Sequence, residues 1–163
     1  MGYFKRVLPI VAGLALAMSA TVASAATIIN VELWDKGADV GMVKGLSYAT
    51  PGMDMSKATM GMKLSRKNAP AGVVTFKVTN ASKDTVHEMI AMYRQDPTKP
   101  LPYLDAENRV DEDKAGDKGE VSELDPGQSG TLTVGLKPGK YVLICNVPGH
   151  FDSGMWAEVD ITK

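Results

Sequence analysis

The stretch from Leu136 to Met155, LKPGKYVLICNVPGHFDSGM, decides the reading of this chain. A Lys-Pro-Gly-Lys turn leads into the apolar run Tyr141 to Cys145, rich in strand-favouring residues. Pro148-Gly149 turns the chain back, and Met155 to Ile161 reads as a further strand. One thiol, one imidazole and one thioether therefore share a loop between two strands, at C-x4-H-x4-M spacing.

The same strand signature recurs upstream. Thr27 to Leu33 alternates apolar and polar, Gly72 to Thr79 reads GVVTFKVT, Thr85 to Tyr93 reads TVHEMIAMY, and Gly130 to Leu136 precedes the decisive stretch. No segment keeps a helical period, apart from short helical turns expected around Ala38 to Ser47 and Leu101 to Ala106. The expected class is all-β, a Greek-key β-sandwich with long loops. Two segments are too long for plain connections: the Gly- and Met-rich Gly37 to Ala58, and the charged, Pro-bearing Asp96 to Lys118. Asp105 to Asp125 carries nine acids against three bases. A solvated rim is the ordinary reading of that run, and a docking face for a basic partner the sharper one.

The chain has one cysteine and two histidines. Singly, each has a bland explanation. A strand histidine is commonly buried and hydrogen-bonded, a cysteine after an apolar run is commonly core, and a methionine starting a strand commonly packs. Together, His87, Cys145, His150 and Met155 make the His2Cys set with a weak thioether that holds blue copper. Thiolate and thioether suit Cu(I), imidazoles also suit Cu(II), and one set thus serves both redox states. Zinc accepts Cys and His, but its structural sites take four such ligands and have little use for a thioether. A nucleophilic Cys-His pair would leave Met155 and the second histidine as coincidences.

The first 25 residues read as a secretory signal: Lys5 and Arg6, the apolar run Val7 to Met18, and the small-residue site Ala23-Ser24-Ala25. A membrane anchor is the competing reading, but the run is short for a bilayer. Residues 26–163 are then one exported, periplasmic domain with 16 basic and 19 acidic residues, a net charge of −3. That balance argues against a nucleic-acid partner. Nothing after Ala26 is long and apolar enough to span a membrane. A lone exported thiol is reactive, paired between chains, or held by a bound group; the copper set supplies the last.

At VTFKVTN (Val74 to Asn80), His87, the L-x-P-G turn at Leu124 to Gly127 and LKPGKYVLICNVPGH ending at His150, the chain resembles the cupredoxins. These are the plastocyanin and azurin family of small blue-copper proteins, and the likeness runs from about Gly72 to Lys163. It implies copper near one end of the sandwich, with His87, Cys145 and His150 equatorial and Met155 axial. It implies one-electron transfer rather than enzymatic turnover, since four protein ligands leave no open position for a substrate. The His150 edge should reach the surface in an apolar patch, expected at Pro148, Gly149 and Phe151. A redox protein would dock there briefly on a monomer. Glu88 departs from the pattern: plastocyanins and azurins carry an Asn there that ties the ligand loops together. Strand alternation should point Glu88 away from the metal. His-Glu at this position resembles bacterial periplasmic cupredoxins linked to copper tolerance.

Met42, Met53, Met55, Met60 and Met62 fall within 21 residues. Met60, Met62 and Leu64 alternate like the inward face of a strand, which leaves Met53 and Met55 as a weaker second Cu(I) site. Hydrophobic cover over the first site is the ordinary role for the segment. Two functions follow: a periplasmic electron carrier, or a copper-tolerance protein that sequesters or oxidises Cu(I).

Overall fold

Alternation along the first strand sets the layer it joins. In β1 (Thr27–Asp35), Ile29, Val31 and Leu33 are buried while Ile28, Asn30 and Glu32 face solvent. The computed structural model describes residues 26–163, and the expected signal segment, residues 1–25, lies outside them. One sheet runs in the order β2 (Met60–Leu64), β1, β4 (Gly72–Asn80) and β9 (Ser129–Leu136). Strand β1 is antiparallel to β2 and parallel to β4, and β4 is antiparallel to β9. The other sheet runs β3 (Asn68–Pro70), β11 (Trp156–Thr162), β10 (Gly139–Ile144), β5 (His87–Arg94) and β8 (Asp117–Leu124). The two sheets close over one core that includes Leu33, Phe76, Val78, Met89, Leu143 and Val159. Each such side chain contributes roughly 1.5–3 kcal/mol by leaving water. Met60 and Met62 are buried in this core, as their alternation implied.

Strands β5 and β10 are apolar on both faces, and the reason lies in the long segments. Met89 and Ala91 of β5 face the main core, whereas Ile90 and Met92 face outward with Val142 and Ile144 of β10. Tyr48, Leu101, Val110, Ala115 and Phe151 cover that outer face as a second cluster. The long segments are therefore a lid with its own core rather than free loops.

The expected helical turns are not where composition suggested. Residues 38–47 form turns and bends without helix. Within 101–106, Tyr103–Leu104 (β6) pairs antiparallel with Arg109–Val110 (β7). The helical turns are instead a 3-10 turn at Met55–Lys57 and a one-turn helix α1 (Glu112–Ala115). Each is started by an aspartate cap, Asp54 accepting from Ser56 N–H and Asp111 from Lys114 N–H. Strand β8 falls in the acidic run read as a rim. It is an edge strand with Val121 its one buried residue, so charge masks the alternation.

Candidate metal centre

Neighbouring strands bring the donors together. His87 opens β5, Cys145 follows the last residue of β10, and these strands pair antiparallel with Ile144 opposite Ile90. The Pro148-Gly149 turn returns His150 toward Cys145, its N–H donating to Val147 C=O at 3.0 Å. Gly149 sits at φ 85°, and a Cβ there would lie 2.9 Å from Met42 Sδ, so only glycine fits the turn. Met155 N–H donates to His150 C=O and Cys145 N–H to Met155 C=O, at 3.1 and 3.0 Å, which stitches the loop closed.

Cys145 Sγ lies 3.4 Å from His150 Nδ1 and 4.0 Å from His87 Nδ1, and the two Nδ1 atoms are 3.2 Å apart. All three ligand atoms fall within 4.8 Å of one another. His87 and Cys145 are fully buried and His150 is 6% exposed. Met155 is buried in the main core at the end of the same loop.

The charge states suit a cation. Burial pushes the Cys145 thiol up to about 12, against backbone N–H groups of Glu88 and Val147 that pull it down. Burial and the neighbouring His87 push His150 down to about 4, and burial also lowers His87, against the pull of Asp35. Both imidazoles are therefore neutral at pH 7 with lone pairs to offer. A metal ion would replace the thiol proton, and the Glu88 N–H, 3.4 Å from Sγ, would support the thiolate.

Glu88 does more than alternation suggested. Its Oε1 accepts the Asn146 N–H at 2.9 Å, tying β5 to the residue after Cys145. Burial raises its carboxyl to about 7, opposed by that N–H. The Asn146 side chain continues the tie. It accepts the Val110 N–H at 2.7 Å and donates to Val110 C=O and Glu112 at 3.0 and 2.6 Å. Asp35, at the end of β1, contacts His87 Nε2 at 2.8 Å through Oδ2. Its only signal in sequence is an acid ending an apolar-alternating strand.

The expected surface patch needs correction. Of the three expected residues only Pro148 is exposed: Gly149 is buried, and Phe151 is 2% exposed and packs in the second core with Tyr103 and Tyr48. His150 instead lines a cleft of about 260 Å³ with Val40, Gly41 and Met42, of which Val40 and Met42 are exposed. Met55 is exposed with Cε close to where a Gly154 Cβ would lie, and Met53 is half-buried. Met42 and Met55 thus flank the ligand loop at Gly149 and Gly154.

The sulfocyanin (SoxE) domain family matches residues 66–163. No protein of curated function matches the chain in sequence. Among solved structures, sodium-dithionite-reduced auracyanin from the photosynthetic bacterium Roseiflexus castenholzii is 19% identical with TM-score 0.52, over 86% of this chain and 100% of its own. Rusticyanin from Thiobacillus ferrooxidans, a copper protein, is 15% identical with TM-score 0.52, over 87% of this chain and 85% of its own. These likenesses show the cupredoxin sandwich. The buried thiol and two neutral imidazoles are the donor set of a single type 1 copper site.

Proposed function

The chain belongs to the sulfocyanin domain family of cupredoxins, and on that premise we propose that it is an exported one-electron carrier. Residues 26–163 form its single domain. In this reading His87, Cys145 and His150 would hold one copper ion, and Met155 would supply a weak thioether donor. The observation that supports it is the convergence of Cys145 Sγ with two Nδ1 atoms in a buried pocket. Copper held there supplies a Cu(II)/Cu(I) couple.

The protein's part is to hold the donors still. His87 and Cys145 stand at the ends of paired strands, and the Met155 backbone ties His150 to Cys145. Little then has to reorganise when the charge changes. Among the described residues no helix is long and apolar enough to cross a membrane. A redox partner would dock at Val40, Met42 and Pro148 around His150, an exposed rim suited to brief contact.

The copper-loaded oxidised protein should absorb intensely in the visible and bleach on reduction. A colourless Cu(II) complex would sink the assignment. Copper tolerance is the second reading, favoured by the exposed thioethers of Met42 and Met55 beside the ligand loop. Growth of a deletion strain separates the two. Copper-sensitive cells would favour tolerance, and unaltered copper resistance would favour the carrier.

A further inference from the structure

Asp35 comes from the sheet opposite the ligand strands and from 52 residues upstream of His87, yet its carboxylate meets that ring edge-on. The pair is largely closed off, with side-chain exposures of 4% for Asp35, at the edge of the cleft, and 0% for His87. A buried carboxylate is costly unless its oxygens are satisfied. Here Oδ1 accepts the Gly37 N–H at 2.8 Å, and the Ser82 side chain also favours the charged form. These interactions, with the one from His87, outweigh burial and hold Asp35 below the usual carboxylate range.

A neutral imidazole carries one N–H. A carboxylate acceptor at Nε2 places that hydrogen there and leaves the Nδ1 lone pair facing Cys145 and His150. His150 has a different situation: it lines the cleft that Asp35 also borders, but among the described residues no carboxylate is hydrogen-bonded to its ring. The two histidines are therefore unequal, one anchored to a buried negative charge and one beside solvent.

We propose that Asp35 is the positioning residue of this metal centre, fixing the His87 tautomer and weighting the Cu(II)/Cu(I) equilibrium toward Cu(II). The redox half rests on the copper reading above; the tautomer half does not. The physical basis is that a negative charge behind a ligand makes it a stronger donor and favours the more positive ion. Asp35 thereby opposes the apolar burial of the site, which favours the reduced, less charged form.

Two measurements decide it. Nitrogen-15 NMR of the metal-free wild-type protein should find the His87 proton on Nε2; a proton on Nδ1 overturns the tautomer half. Redox titration of the copper-loaded protein should show Asp35→Asn shifted toward Cu(I) by tenfold or more, about 59 mV for one electron. Ser82→Ala, which removes the side chain that most favours the Asp35 charge and so leaves that charge to pull harder on His87, should move twofold or more the opposite way. This variant also decides the matter if Asp35→Asn does not fold. Blue variants with equilibria within twofold of wild type overturn the redox half. A colourless wild-type copper complex overturns the ligand reading and the redox half with it, while the NMR result still decides the tautomer.

Discussion

At Cys145 burial pushes the thiol up to about 12, while two backbone N–H groups are already aimed to stabilise its anion. The group is inert as a thiol and prepared as a ligand. Replacing it by serine keeps the shape but removes the soft donor, so Cys145→Ser should abolish the visible absorption, checked by the spectrum of the Cu(II)-treated protein. Met155 is buried in the main core, and leucine conserves most of its volume. Met155→Leu should therefore keep the fold and the colour. Losing a thioether donor destabilises the more positive ion, so the potential should rise; an unchanged potential would remove Met155 from the ligand set.

Between elements, the ties run through Glu88 and Asn146. Asn146→Ala leaves the buried Val110 N–H without its acceptor, and should cost about 2 kcal/mol, measured by denaturant unfolding. Glu88 also gives the metal-free protein an unusual pH profile. Its folded pKa is raised to about 7 from 4.5, so its contribution is present at low pH and is lost as pH rises through 7. His150 is depressed to about 4 from 6.5, so its contribution is present above 6.5 and is lost as pH falls toward 4. The two slopes oppose each other between about pH 4.5 and 6.5. Glu88→Gln removes one of them, so metal-free melts should lose stability more steeply in that window than wild type. Equal slopes would contradict the linkage.

For the whole molecule, a site assembled from the middle and the C-terminal part of the sequence couples metal binding to folding. Copper at ~1,000-fold over its Kd would add ~4 kcal/mol. For a domain of this size that raises Tm by roughly 10–20 °C, a gain that Cys145→Ser should lose. The surface beside His150 gives a further test: Met42→Lys should slow electron exchange with a partner without moving Tm, because Met42 is exposed. Phe151→Ser should lower Tm instead, since Phe151 lies in the second core. Much of this was legible in the residues. Alternation and turn residues determine six of the strands to within one or two positions, because burial on one face imposes period two. The lone cysteine, the two histidines and the Pro-Gly turn determine the donor set, because soft and borderline ligands at that spacing have few other uses. The structure alone decided what depends on distant partners. Strand β8 is hidden by its charges and exists through pairing with β5. Phe151 turns inward because the chain around Tyr48 and Tyr103 covers that face of the sheet. Glu88 ties the ligand loop, and Asp35 reaches His87 across the sandwich, because sheet packing brings side chains together that local sequence keeps far apart.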